Sequence, residues 1–340
     1  MKAIVVDNAY NALKPDELRV IGDAYEAAGI EYAQGHFPTE ESLIENCQGY
    51  DIVICTGNPP FTRKVMEALP DLKVIHRTGA GVNSIDLDAA TELGKIVIYL
   101  PGFCTNELAD NALGLILGLV RNIGYYDRAI RAGRWPKNEY FMPPDVRDMT
   151  LGLFGFGLAG RELARIMHTA YGTEVIACDP YVSDQVKADF SYVSFVDFET
   201  LLKESDIISI HVILTLETTH VFDRAAFEKM KDTAMIINTS RGPVIDQQAL
   251  YWALTNGIIR YAGLDTLEKE PADPDDPLLQ LDNVIIMPHC GSYGQGAKRT
   301  QRRMMCDILP MAVRTGEIEA RVVANKAILA RNDLVFGFRF

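Results

Sequence analysis

A chain of 340 residues, 48% hydrophobic and 23% charged, has room for two globular domains and excludes a disordered or fibrous protein. Its formal net charge of −13 argues against nucleic acid or an anionic membrane as partner, because both are bound through a basic footprint. A small anionic substrate stays open, since a local site can be basic on an acidic surface.

The first residues carry no signal-peptide pattern. The longest apolar stretch, 113–120, is broken by Gly114 and Gly118 and ends at Arg121, well short of the ~20 residues that span a bilayer. The expectation is a soluble, cytoplasmic protein. The six cysteines (Cys47, Cys55, Cys104, Cys178, Cys290 and Cys306) lack zinc-type spacing and are expected as ordinary thiols.

In chain order, β-branched runs at 2–7, 51–55 and 72–75 alternate with amphipathic stretches at 15–28 and 39–46. A second series of strand-like runs follows at 151–154, 174–177, 207–211, 235–238, 261–264 and 283–287. Helical stretches such as 161–170 and 247–255 lie between them. This alternation predicts βαβ units and parallel sheets, hence an α/β fold with two doubly wound units. The first covers 1–100 and the second 101–289, divided at Pro101-Gly102, with 106–120 as the connecting helix. Another helical stretch, 295–315, precedes a tail too short for a domain. Residues 133–148, rich in proline and aromatic side chains, read as a functional loop or packing arm.

The strongest local signal is Gly155-Phe156-Gly157-Leu158-Ala159-Gly160, placed between the apolar run 151–154 and a helical stretch. That strand–turn–helix setting is what a dinucleotide fingerprint requires. Gly155 allows the tight turn, Gly157 lets a pyrophosphate approach the backbone, and Gly160 lets helix and strand lie close. The helix start offers free N–H groups to phosphates. Asp179, at the end of the next strand, is placed to accept hydrogen bonds from ribose hydroxyls and to repel a 2′-phosphate, which favours NAD over NADP.

Three further strand ends carry polar groups: Arg241 after 236–240, Asp265 after 261–264 with Glu270 beyond it, and His289 after 284–288. Ligands of open α/β sheets bind at such carboxyl ends. Arg241 can hold a carboxylate bidentately and polarise the neighbouring carbonyl. His289 can give a proton to a carbonyl oxygen, or take one from a hydroxyl, while Glu270 orients it and stabilises its charged form. Asp265 is placed to touch the nicotinamide carboxamide or ribose. No metal is expected.

Taken together, these segments resemble the D-isomer-specific 2-hydroxyacid dehydrogenases, the group that includes D-3-phosphoglycerate, hydroxypyruvate and D-lactate dehydrogenases. The matches are densest at 155–160, 238–242, 262–271 and 282–289, and extend over nearly the whole chain. The resemblance implies hydride transfer between NAD(H) and a small D-2-hydroxy acid or 2-oxo acid. It also implies a Rossmann cofactor domain, 101–289, inserted into a flavodoxin-like substrate domain, 1–100 plus 290–340. By the same analogy Arg241, Glu270 and His289 are catalytic, and Ala80 and Gly81, in 77–86, grip the substrate carboxylate together with Arg241 and His289. The cofactor contacts would come from Gly155, Gly157, Leu158, Ala159, Gly160, Asp179, His211, Val212, Thr239, Ser240, Arg241, Asp265, His289 and Gly291. Relatives suggest a homodimer formed through the cofactor domain.

Some positions depart from the family. Ile213 stands where relatives usually have proline, and Asp110 where they have glutamate. The segment Cys290-Gly291-Ser292-Tyr293-Gly294-Gln295-Gly296 replaces their small residues followed by Thr and Glu. Lys298, Arg299, Arg302 and Arg303 form a basic cluster that either faces solvent or meets a phosphorylated or sulfonated substrate. Alternatives of the same fold are an NAD(H)-sensing corepressor and phosphonate or formate dehydrogenases. Glu270 argues against the formate type.

Overall fold

The computed structural model describes residues 1–6, 15–57, 59–137, 144–331 and 338. Residues 138–143 of the anticipated arm lie outside the described residues. The chain divides into two compact units, Met1–Cys104 with Gln295–Phe340, and Thr105–Gly294.

The first unit is a five-stranded parallel sheet in the order β2-β1-β3-β4-β5. Its strands are β1 (Lys2–Val5), β2 (Glu31–Gln34), β3 (Ile52–Cys55), β4 (Val74–Arg77) and β5 (Ile96–Ile98). Helices α1 (Pro15–Glu26), α2 (Glu40–Asn46), α3 (Arg63–Ala68) and α4 (Leu87–Glu92) connect them. The order is that of flavodoxin-like folds. Strand β3 reads Ile-Val-Ile-Cys, apolar on both faces, because helices cover both sides of a central parallel strand. Helix α2 lies within the amphipathic stretch 39–46, with Thr39 as N-cap exchanging hydrogen bonds with Ser42 in a capping box.

The second unit is a seven-stranded parallel sheet in the order β12-β11-β10-β9-β6-β7-β8. Its strands are β6 (Thr150–Phe154), β7 (Glu174–Cys178), β8 (Val193–Phe195), β9 (Ile207–Ile210), β10 (Met235–Asn238), β11 (Tyr261–Leu264) and β12 (Val284–Ile286). Helices α5 (Thr105–Val120) and α6 (Ile123–Arg131) open the unit. Then come α7 (Leu158–Tyr171), α8 (Asp184–Asp189), α9 (Phe198–Glu204), α10 (Arg224–Phe227) and α11 (Gln247–Thr255). Neighbouring strands β6 and β9 mark the point where the strand order reverses, the crevice where open α/β sheets bind ligands.

Helix α12 (Gln295–Thr315) returns to the first unit. It packs on α1, and its Met305, Leu309 and Ala312 join the core that contains Ile21, Val74 and Ile96. The tail then covers the sheet edge: Val323 bridges Ile98, and the buried Asn325 accepts from the Val97 N–H and donates to the Lys95 carbonyl. Residues 101–104 stay with the first unit because Leu100 and Phe103 belong to its core. Residues 290–294 stay with the second because Asp265 holds their backbone, as described below.

Candidate active site

The glycine turn sits directly after β6. Gly155 has φ +94°, a left-handed conformation that favours glycine, and a Cβ there would lie 2.8 Å from the His211 carbonyl. At Gly160 a Cβ would lie 2.7 Å from the Gly155 carbonyl oxygen, so the missing side chain lets α7 close on the turn. Gly157 differs: it is the N-cap of α7, makes no side-chain cap, and faces open space for 4 Å where a Cβ would stand. An uncapped helix start beside an open glycine face fits the pyrophosphate of a dinucleotide. Leu158 is exposed at the first helical position, with Ala159 behind it.

Asp179 lies at the end of β7. Its Oδ2 accepts from the Phe156 N–H at 2.8 Å and its Oδ1 from the Tyr181 N–H at 2.9 Å. The carboxylate therefore ties the second strand end to the glycine turn. His211 follows β9, donates its N–H to the Phe154 carbonyl, and shares a 2.9 Å hydrogen bond with Ser209 Oγ through Nε2. Burial pushes its pKa down to about 4. Val212 is partly buried beside it, and Ile213 is exposed, its carbonyl accepting from Thr218 Oγ1. Thr hydroxyls thus close this turn.

After β10, Asn238 organises the loop that carries Arg241. Its Oδ1 accepts from the N–H and hydroxyl of Ser240, and its Nδ2 donates to the Arg241 carbonyl at 2.9 Å. Thr239 is buried, and its hydroxyl finds no partner among the described residues. Gly242 is where this loop meets the next: a Cβ there would stand 2.0 Å from the Leu267 carbonyl carbon and oxygen. The close approach brings the Arg241 loop against the chain that carries Glu270.

Asp265, 1% exposed, is the hub of the last turn. Its N–H donates to Asn238, its carbonyl accepts from the His289 N–H, and its carboxylate accepts from the Cys290 and Gly291 N–H groups at 2.9 and 2.8 Å. His289 itself has φ +53°, uncommon for a residue with a side chain. Asp265 thus holds the strained turn that presents the imidazole. Both carboxylate oxygens are engaged in this way, a role the sequence did not disclose.

The His289 Nδ1 and Glu270 Oε2 atoms are 2.6 Å apart, and Glu270 Oε1 accepts from the Leu267 N–H at 3.0 Å. Burial alone would raise the Glu270 pKa. The hydrogen bond and charge of His289, the Leu267 N–H and the charge of Arg241 outweigh it and hold the carboxyl below its ordinary range. Both side chains remain partly exposed. A carboxylate-bound imidazole with a free Nε2, and a guanidinium close enough to act on that carboxylate, form an acid–base pair beside an anion-binding group.

In the first unit, Arg77 ends β4 and donates from Nε to the Gly81 carbonyl at 3.0 Å. Its guanidinium occupies the room left by Gly57 and Gly79, where Cβ atoms would each meet it at 3.3 Å. Ala80 is exposed and Gly81 half-buried, and their N–H groups donate to no group among the described residues. Asp110, Gly294 and Gly296 belong to ordinary helix and turn positions; a Cβ on Gly294 would meet Glu107. Among the described residues no cluster of three or more His, Cys, Asp or Glu could hold a metal, and no helix is long and apolar enough to cross a membrane.

Residues 113–291 match the model of the D-isomer specific 2-hydroxyacid dehydrogenase, NAD binding domain. The chain is 38% identical to a glyoxylate reductase of Thermofilum pendens over 295 residues, 86% of each chain. It is also 38% identical to a D-3-phosphoglycerate dehydrogenase of Archaeoglobus fulgidus over 275 residues, 81% of this chain but 52% of that one. The chain therefore spans about half the length of that relative. A crystal structure of a glyoxylate reductase from Paecilomyes thermophila superposes with a TM-score of 0.85 at 28% identity, covering 95% of this chain and 98% of that one. With that similarity and this geometry, the chain belongs to the D-isomer specific 2-hydroxyacid dehydrogenase family of NAD-dependent oxidoreductases.

Proposed function

We propose that this chain interconverts a small 2-oxo acid and the corresponding D-2-hydroxy acid, with Arg241, Glu270 and His289 performing the chemistry. The 2.6 Å contact between His289 and Glu270 carries the reading. Glu270 Oε2 accepts a hydrogen bond from the Nδ1–H of His289, which leaves Nε2 as the atom that exchanges a proton with substrate. Bound NADH supplies the hydride. As it reaches the carbonyl carbon, His289 protonates the oxygen, so the C=O double bond becomes C–O–H and the imidazolium becomes neutral. Arg241 pairs with the substrate carboxylate and polarises the adjacent carbonyl. In the first unit, the amides of Ala80 and Gly81 are donors of the kind that bind an anion. The glycine turn, with Val212, Thr239, Ser240 and Gly291, supplies the cofactor contacts, and Asp179 discriminates against a 2′-phosphate.

The test follows NADH absorbance with glyoxylate, hydroxypyruvate, pyruvate, phosphohydroxypyruvate and sulfopyruvate. His289→Ala should lower turnover about 10²–10⁴-fold. Glu270→Gln should lower it less, because an amide oxygen can still accept from the Nδ1–H and orient the imidazole. Intact NADH binding without turnover of any panel member by the wild type would exclude this reading.

A cytoplasmic homodimer is part of the same proposal. All six cysteines are free thiols, as suits a reducing compartment. On and after α6, Ile123, Ile130 and Trp135 stand exposed, Trp135 at 78%, an apolar surface of the kind subunits cover. Sedimentation should give twice the chain mass, and Trp135→Glu should shift it toward the monomer. A wild-type monomer would refute the dimer.

A further inference from the structure

A second histidine–glutamate pair stands beside the one in the site. The His220 Nε2 and Glu268 Oε1 atoms are 2.5 Å apart, and both side chains are partly exposed. Glu268 precedes Glu270 by two residues, so one short segment carries the carboxylate of each pair. His220 also shares the left-handed backbone of His289: its φ is +51°, where that of His289 is +53°. A residue with a side chain keeps that conformation only where its surroundings hold it.

Three strand-end loops meet at this pair, all within the second unit. His220 closes the loop after β9 and donates its N–H to the Pro243 carbonyl at 2.8 Å. Pro243 lies two residues beyond Arg241, in the loop after β10. The contact continues from the Phe222 N–H to the Val244 carbonyl and from the Asp246 N–H to the Phe222 carbonyl. Glu268 belongs to the loop after β11. Its Oε1 accepts from the Gln247 N–H at 3.4 Å, and its own N–H donates to Gln247 Oε1 at 3.2 Å. Backbone bonds therefore tie the first loop to the second, and Gln247 ties the second to the third. The imidazole–carboxylate contact joins the first to the third and closes the triangle. Arg241 and Glu270 stand on the two loops that it braces. An exposed pair of this kind adds little to stability. What it fixes is distance, on which the rate depends steeply.

We propose that His220 and Glu268 are positioning residues for the hydride-transfer reaction. Their contact sets the separation of the Arg241 loop from the Glu270 segment, and neither side chain touches substrate or cofactor. This rests on the dehydrogenase reading above and adds two residues that it leaves unused.

The experiment uses the full chain with NADH and the 2-oxo acid of the panel that it turns over fastest. NADH affinity from fluorescence titration and the melting temperature are measured beside the kinetics. In His220→Asn the backbone is kept, because asparagine enters the left-handed region readily, and the shorter side chain ends before the position of Nε2. Glu268→Ala removes the other partner. Each should lower kcat/KM about tenfold, a part of the ~10²-fold that a misplacement near 1 Å costs. The loss should fall on kcat and on KM for the 2-oxo acid. KM for NADH, the NADH dissociation constant and the melting temperature should stay close to wild type. The double variant should be no slower than either single one, because the two residues act as a unit. Glu268→Gln, whose amide oxygen still accepts from the imidazole, should recover much of the loss. Additive losses in the double variant overturn the inference. So does a lower melting temperature with unchanged kinetics, or a loss of NADH affinity in step with the rate. If Glu268→Ala does not fold, a slow His220→Asn beside a near-normal Glu268→Gln supports the inference, and two normal variants overturn it. Variants that match an active wild type remove this inference alone, whereas a wild type silent on every 2-oxo acid removes the dehydrogenase reading as well.

Discussion

Two histidines, His289 and His76, stand in opposite settings. Glu270 and His289 meet at partly exposed positions, where a proton can arrive and leave. His76 is its buried counterpart: it lies in β4 at 0% exposure, with Nδ1 at 2.8 Å from the Tyr25 hydroxyl and Nε2 without a partner. Burial pushes its pKa down to about 4 from the ordinary 6.5. The unfolded chain therefore takes up this proton first as pH falls. The stabilisation is complete above pH 6.5 and drains away toward pH 4, by at most on the order of 3 kcal/mol. The urea midpoint should be lower at pH 5 than at pH 7, and the double variant Tyr25→Phe, His76→Leu should lose part of that difference. An identical pH dependence in the double variant would show that His76 does not contribute. Half-buried His211, also pushed down to about 4, adds in the same direction.

At the scale of elements, the site depends on how closely successive strand-end loops approach. The loops after β10 and β11 touch at Gly242, where a methyl group would stand 2.0 Å from the Leu267 backbone. Gly242→Ala must push these loops apart and carry Arg241 with them. A misplacement near 1 Å can cost about 10²-fold in rate, so kcat/KM should fall by about that factor. Measured kinetics equal to wild type would mean that the loops yield without moving Arg241. The turn after β12 depends likewise on Asp265, whose carboxylate binds two consecutive amides and so maintains the unusual backbone of His289. Strain at one residue is sustained by hydrogen bonds to its neighbours.

Across the whole molecule, cofactor binding should appear as stability. The second unit offers an uncapped helix start and an open glycine face for the pyrophosphate, with Asp179 at the neighbouring strand end. A ligand at a hundred times its Kd adds about 2.7 kcal/mol to the folded state. NADH should therefore raise the melting temperature by roughly 2–4 °C, and NADPH at the same concentration by much less. Equal shifts from the two nucleotides would take Asp179 out of cofactor selection.

The sequence by itself determined the parallel α/β class, the glycine turn, and the strand-end positions of Arg241, Asp265 and His289. Each of these is written in contiguous residues, an apolar run followed at once by a turn or a polar group, and local pattern is what one chain displays. Helices α11 and α12 were legible to the residue for the same reason. Strand β2, reading Glu-Tyr-Ala-Gln at the sheet edge, was not, because a half-exposed edge strand lacks the apolar run of a central one. The tertiary structure alone decided that Asn325 would cover the β5 edge 228 residues from Val97, that Gln301 would dock on Thr78, and that Asp265 would bind the turn holding His289. Such contacts join positions far apart in the chain. They exist only once loops have closed and cores have packed, so no local pattern announces them.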